Sequence, residues 1–297
     1  MNSRIEFDRN SGKFFGYVDG KLVKKSKRKE WVEEYLVSLK SVAPKATDSE
    51  FTINERFDFV TDLVTLVSSS AVPSAIITGE GGLGKSYTVM KALKDAGLTD
   101  VTSLMEVESE NDVPLERDET MFSVVKGYST PKGLYNTLYN HRNSTVVFDD
   151  CDSILKDPVA LNLLKSALDS YSERYISWSA ESKKDDEIPS SFRFDGRVIF
   201  ISNLSLNTLD GALRSRSLCV DLSMTLNQKI ERMEVLIASE EFLPNISLQH
   251  KKDAIELIRK MIKKAGEISL RTLIKVCKIR ASESKNWEKL ASYLLMQ

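Results

Sequence analysis

Ser74-Ala75-Ile76-Ile77-Thr78-Gly79-Glu80-Gly81-Gly82-Leu83-Gly84-Lys85-Ser86 decides the fold. An apolar run ends in a glycine-rich loop, and the residues from Tyr87 to Ala96 have the composition of a helix. The spacing is G-x-x-x-x-G-K-S between a predicted strand and a predicted helix, which is the phosphate-cradling loop. Glycines keep side chains out of the way, so that backbone N–H groups at the positive end of the helix can face a phosphate. Gly79 through Tyr87 are therefore the candidate nucleotide contacts: Gly79, Glu80, Gly81, Gly82, Leu83, Gly84, Lys85, Ser86 and Tyr87. Lys85 would reach the β- and γ-phosphates, and the Ser86 hydroxyl would ligate Mg²⁺. The motif implies a site for a nucleoside triphosphate.

A second motif stands downstream at a compatible distance. Thr145-Val146-Val147-Phe148 reads as a buried strand running into Asp149-Asp150-Cys151-Asp152. A hard cation prefers oxygen ligands and keeps part of its water, so Asp149 is expected to hold Mg²⁺ through a water molecule. Asp150 follows, where a general base could polarise an attacking water. A third strand, Arg197 to Ser202, ends at Asn203, whose amide would point between the acid and the γ-phosphate. Arg214 and Arg216 lie in a loop before a further strand, Leu218 to Leu222, and either could reach a neighbouring subunit's nucleotide. Arg271 opens a later helix and could close on the nucleotide from that side.

In this order the residues resemble the AAA+ ATPase family over roughly residues 52–295. Lys85 and Ser86 match Walker A, Asp149 and Asp150 Walker B, and Asn203 sensor 1. Arg216, or else Arg214, matches the arginine finger, and Arg271 matches the sensor 2 arginine. The block from Lys126 to Asp152 also resembles AAA+ ATPases carried by bacteriophages. The resemblance implies an α/β fold with a five-stranded parallel sheet flanked by helices, a C-terminal all-α lid and a small N-terminal β/α appendage. It further implies Mg-ATP hydrolysis, an arginine supplied in trans, and a homo-oligomeric ring, most simply a hexamer. One departure stands out: the family usually has Glu where this chain has Asp150, a carboxylate one methylene shorter.

The rest of the chain is arranged around this core. Residues 1–50 read as a β hairpin (Ile5-Glu6-Phe7 and Phe14 to Val18), a basic run and a helix from Glu30 to Lys40. The basic run, Lys21 to Lys29, holds six Lys and Arg in nine positions. It reads as a solvated linker or helix start, or as a surface for phosphates. Residues 51–224 form the nucleotide-binding core. They begin with a capping box, Thr52-x-x-Glu55, and a helix carrying Phe57, Val60, Val64 and Val67. Residues 225–297 are helical by periodicity throughout. A hairpin, Tyr175 to Ser179 with Ser191 to Phe194, is expected before the Arg197 strand; it resembles the pre-sensor 1 insertion of some AAA+ members, which implies that Trp178, Lys183 and Lys184 contact a threaded substrate in the ring's channel, the alternative being that Trp178 packs the hairpin. Gly127-Tyr128 stands where protein-threading relatives carry an aromatic loop.

Composition sets the frame without naming a partner. Of 297 residues, 41% are hydrophobic and 29% charged, which suits a folded core in water. Formal charges are +3, −9 and +5 for residues 1–50, 51–224 and 225–297, so basic ends flank an acidic middle. Three separated cysteines fit neither a disulfide framework nor a zinc site, and no apolar run reaches the length of a membrane span. A reducing cytoplasm is expected, inside a bacterial host if the chain is phage-encoded. DNA or a DNA-bound protein complex is the first expectation for what is remodelled. A protein-unfolding ring and a slowly hydrolysing, nucleotide-gated scaffold are the alternatives.

Overall fold

The computed structural model describes residues 3–8, 11–18, 21–33, 50–103, 116–178 and 188–297. Two expectations lie partly outside these residues: the helix from Glu30 to Lys40 beyond residue 33, and the hairpin tip with Lys183 and Lys184. The chain divides into two compact units, Met1–Thr47 and Asp48–Gln297.

The first unit contains a three-stranded antiparallel sheet in the order β1 (Ser3–Asp8), β2 (Lys13–Val18), β3 (Lys21–Ser26). This corrects the expected hairpin. The first half of the basic run is itself a strand, paired to β2 through Phe14–Ser26, Phe15–Lys25 and Gly16–Lys24. Its lysines hid the strand because lysine is depleted in strands on average, yet suits an edge, where charge discourages further pairing.

The second unit is built on a six-stranded parallel sheet, not the five-stranded one expected. The strands are β4 (Ser74–Thr78), β5 (Thr99–Asp100), β6 (Met121–Lys126), β7 (Thr145–Asp149), β10 (Arg197–Ser202) and β11 (Leu218–Asp221), in the order β11-β4-β10-β7-β6-β5. The addition is β5, a two-residue edge strand paired to Met121 and Phe122. Both of its residues are exposed, so it lacks the apolar run that announces the other strands.

Alternation along the inner strands feeds two cores. Ile76, Val146, Phe148, Val198 and Phe200 face one side of the sheet, with Phe148 and Phe200 stacked at 5.8 Å. Ala75, Ile77, Val147, Ile199 and Ile201 face the other. Burial on both faces explains why β4, β7 and β10 read as continuous apolar runs. Flanking helices include α1 (Ile53–Ser68), α2 (Lys85–Asp95), α3 (Pro131–Asn140) and α4 (Pro158–Ala167). Thr52 and Glu55 form the expected reciprocal capping box on α1, and Thr130 caps α3 with Pro131 behind it. Each such cap is worth about 1 kcal/mol. α4 starts where it does because Asp157 caps it and Pro158 occupies its first position.

The short hairpin β8 (Tyr175–Ser177) and β9 (Ser191–Arg193) follows α4. Trp178 follows β8 on the loop side of the pair, 5.9 Å from the ring of Tyr135 and against the core. Between β10 and β11 comes the five-residue α5 (Gly211–Ser215). After β11, α6 (Leu226–Ala238), α7 (Leu248–Met261), α8 (Leu270–Ala281) and α9 (Trp287–Leu295) enclose a hydrophobic cluster of their own.

Candidate nucleotide-binding site

The site forms where the carboxyl ends of β4, β7 and β10 meet. In the parallel register Ser202 lies beside Thr78, and Ile201 beside Asp149. The loops leaving these strands are therefore neighbours, at the strand ends where open α/β sheets place their ligands.

Backbone need shapes the glycine loop, at Gly79 and Gly82 among other positions. Gly79 has φ +138°, and a Cβ there would lie 3.0 Å from the carbonyl carbon of Leu222. Gly82 has φ +74°, and a Cβ would lie 3.1 Å from Ser269 Cβ at the cap of α8. The Leu270 N–H donates to the Gly82 carbonyl at 2.9 Å. The start of α8 is thus seated on the loop, and this brings Arg271 to the cavity.

Lys85 is 5% exposed. Its ammonium donates to the carbonyls of Gly79 (2.7 Å) and Glu80 (2.8 Å) and to Asn203 Oδ1 (2.9 Å). Burial lowers its pKa, while Asp150, Asp149 and Asp152 pull the other way. The Asn203 amide in turn donates to Asp150 Oδ1 at 2.7 Å. Lysine, sensor amide and acid thus form one continuous chain of contacts. Asp150 itself has φ +58°, a left-handed conformation that Asp and Asn tolerate better than longer side chains.

Beside this chain the Ser86 hydroxyl donates to Asp149 Oδ1 at 2.9 Å. Asp149 is 4% exposed, and its other oxygen pairs with Lys126 Nζ at 3.2 Å. A buried carboxylate compensated by a cation, next to a serine hydroxyl, is an oxygen pair that fits Mg²⁺. Among the described residues no group of three or more His, Cys, Asp or Glu is arranged to hold a metal by itself. The remaining ligands would come from phosphate and water.

Lys85, Ser86, Asp150 and Asn203 border a cavity of about 620 Å³, which is the size of a small-molecule site. Gly81, Gly82, Leu83, Gly84, Lys85, Ser86 and Tyr87 line it, as do Asp150, Asn203 and Arg271. Phe57, Leu236, Phe242, Leu243 and Ile274 also line it, an apolar set on which a flat ring could pack. Among the described residues Gly79, Glu80, Asp149, Arg214 and Arg216 do not line it. The Glu80 carboxylate turns aside to pair with Lys229 of α6. Arg216 donates from Nη1 to the Ala212 carbonyl at 3.1 Å, and the Nε atoms of Arg214 and Arg216 are buried without a partner. Neither arginine belongs to this chain's own cavity.

Sequence reasoning passed over several contributors. Lys126 ends β6 opposite Asp149 in register, a placement that only strand pairing reveals. Arg232 of α6 lies 4.0 Å from the Phe57 ring centre and donates to Asn54 at 2.9 Å, tying the C-terminal helices to α1. Glu241 pairs with Lys91 at 3.5 Å and accepts from the Tyr87 hydroxyl at 3.4 Å. Asp152 accepts from the Ser202 hydroxyl at 2.6 Å. Cys151 is buried between these acids, and burial, followed by their charge, pushes its thiol up to about 11.

No family model matches the chain. It is 28% identical over 303 residues to an uncharacterised 36.7 kDa protein of Enterobacteria phage T4, from the nrdC-mobD intergenic region, covering 95% of this chain and 86% of that one. Among solved structures it is similar to C. elegans PCH-2, with a TM-score of 0.40 and 13% identity over 82% of this chain and 66% of that one. No helix among the described residues is long and apolar enough to cross a membrane.

Proposed function

We propose that the chain is an AAA+ ATPase that hydrolyses Mg-ATP at the subunit interfaces of an oligomeric ring, a hexamer in the simplest form, and remodels DNA or a DNA-bound protein complex. The observation that carries the ATPase reading is the contact chain Lys85–Asn203–Asp150 running beside the Ser86–Asp149 pair at the rim of one cavity. A glycine-rich turn with only a structural role has no need of a buried lysine, a sensor amide and two acids in this order.

In this reading Lys85 leaves the Gly79 and Glu80 carbonyls for the β- and γ-phosphates. Ser86 and Asp149 hold Mg²⁺, which neutralises the phosphate charge. Asp150 accepts a proton from the attacking water, and Asn203 fixes the carboxylate that does so. Residues 225–297 act as a lid, with Arg271 closing over the phosphates and the wall around Phe57 and Phe242 holding the base. Arg216, or else Arg214, serves a neighbouring subunit's site, in keeping with its absence from this one. The DNA assignment draws on the basic N-terminal run and the basic lid.

The test is steady-state ATPase activity against protein concentration, with and without DNA, with Lys85→Ala as blank and Arg216→Ala beside it. Specific activity should rise with concentration, collapse in both variants and respond to DNA. Turnover equal to the Lys85→Ala blank at every concentration, with ATP still bound, would remove the motor and leave a nucleotide-gated scaffold. Tyr128 favours a second output, protein threading: it is 82% exposed beside Gly127, which has φ +90°. Tyr128→Ala would then abolish a protein-stimulated activity and spare basal turnover.

A further inference from the structure

The N-terminal unit presents exposed aromatic side chains within a strongly basic segment, and the nucleotide site uses none of them. In its sheet Phe7 stands opposite Phe14, and Phe14 opposite Ser26; Ile5, Gly16 and Lys24 form the next row on the same face. The rings of Phe7 and Phe14 are 4.7 Å apart, and Phe7 is 53% exposed. Edge strand β3 brings Lys21 and Lys24 alongside on this face, with Lys25, paired to Phe15, on the other, and the chain runs on through Lys27, Arg28 and Lys29, all three exposed. Trp31 follows, 55% exposed, with the Arg28 guanidinium 5.2 Å from its ring centre. Residues 1–47 carry eleven Lys and Arg against six Asp and Glu.

Exposed aromatics occur elsewhere on this chain, but here Phe7 and Trp31 belong to the same unit as a run of six cations in nine positions, which a purely apolar docking face would not carry. One ligand chemistry uses both features. A single nucleic-acid strand offers bases whose flat faces stack on aromatic rings, and a phosphate chain that follows cations. A duplex keeps those faces inside its stack, which would leave the aromatics idle.

We propose that this face and the basic run behind it bind single-stranded DNA, the bases stacking on Phe7–Phe14 and Trp31 and the phosphates following Lys21 to Lys29. The choice of DNA as the strand rests on the DNA-remodelling reading above; the stacking and charge arguments stand without it.

The test is fluorescence anisotropy of a labelled thirty-residue oligothymidylate with the full-length chain, titrated across salt concentrations. The same-length duplex and oligouridylate serve as competitors. Phe7→Ala and Trp31→Ala should each weaken binding roughly tenfold, within the range of one lost base stack, while Phe7→Tyr retains it. Lys24→Ala/Lys25→Ala/Lys27→Ala should lower the slope of log affinity against log salt by about 2. Thermal melting identifies any variant that has not folded. Binding unchanged in Phe7→Ala and Trp31→Ala, tighter binding of the duplex or of RNA, or no binding by the wild type would each overturn the proposal. Lys85→Ala should bind the strand normally. If the DNA arms fail while Lys85-dependent turnover persists, this surface falls and the ATPase reading stands. If Phe7-dependent binding holds and turnover is absent, the ATPase reading falls and the surface stands.

Discussion

Asp150 is where residue identity and backbone meet. A carboxylate one methylene shorter than Glu looks like a loss of reach, but at φ +58° Asp is among the few side chains tolerated at modest strain. Asp150→Asn keeps both that conformation and an oxygen for the Asn203 amide, so the fold should be untouched while the proton acceptor is lost. Turnover is expected to fall about 10²- to 10⁴-fold with unchanged melting temperature and ATP affinity within a few-fold. A parallel fall in melting temperature would instead make Asp150 a structural residue. His141 gives a second residue-scale prediction, for pH. It is 1% exposed, with Nδ1 3.0 Å from the Ser144 hydroxyl; burial, and then Arg117, lowers its pKa to about 3 from an unfolded value of 6.5. The folded state therefore holds the neutral ring while the unfolded chain takes up a proton. This contribution is complete above pH 6.5 and is lost as pH falls toward 3, at up to about 1.4 kcal/mol per pH unit. Denaturant titrations at pH 7, 6 and 5 should show wild type losing stability faster than His141→Gln. Equal slopes would remove His141 as the cause.

At the scale of elements, β6, β7 and β10 work as a set because parallel register aligns their ends. Lys126 at the tip of β6 meets Asp149 at the tip of β7, so the acid expected to hold the metal is already held by an ammonium. A cation arriving at Asp149 must compete with that partner. Lys126→Met is expected to lower by several-fold the Mg²⁺ concentration needed for half-maximal binding of a fluorescent ADP analogue, because an opposite charge beside the carboxylate has been removed. The same variant without nucleotide should melt earlier, since Asp149 then lies buried with the Ser86 hydroxyl as its remaining side-chain partner. An unchanged or higher Mg²⁺ requirement would show that Lys126 does not compete with the metal. The start of α8 makes a similar point about position: Leu270 on the Gly82 carbonyl means that the last helices approach the loop through backbone as well as side chains.

The whole molecule is two compact units, and ligands should act on them separately. Calorimetry is expected to show a transition for residues 48–297 that rises with ADP and Mg²⁺, by about 2.7 kcal/mol of added stability at one hundred times the dissociation constant. A transition assigned to residues 1–47 should stay where it is. Lys85→Ala should abolish the rise. If both transitions move together on adding ADP, the units are coupled and their separation does not hold in solution.

Much of this was legible in the chain itself, and the reason is locality. The glycine loop, the run into Asp149 and Asp150, the run into Asn203, the capping box at Thr52 and the helices after Leu226 are each set by neighbours a few residues apart. Periodicity and spacing therefore carry them. What the chain could not disclose depends on partners distant in sequence. β5 is two exposed residues that become a strand only because β6 offers an edge. β3 is a lysine-rich segment that becomes a strand only against β2. Lys126 on Asp149, Lys229 on Glu80 and Arg232 on Phe57 join positions 23, 149 and 175 residues apart, and such contacts leave no local pattern. The sequence by itself determined the glycine loop, the acids that follow the β7 strand and the α/β class, because short-range geometry is written in adjacent residues. Tertiary structure alone decided which cations meet those acids and what closes the cavity, because packing brings together groups that the covalent chain keeps apart.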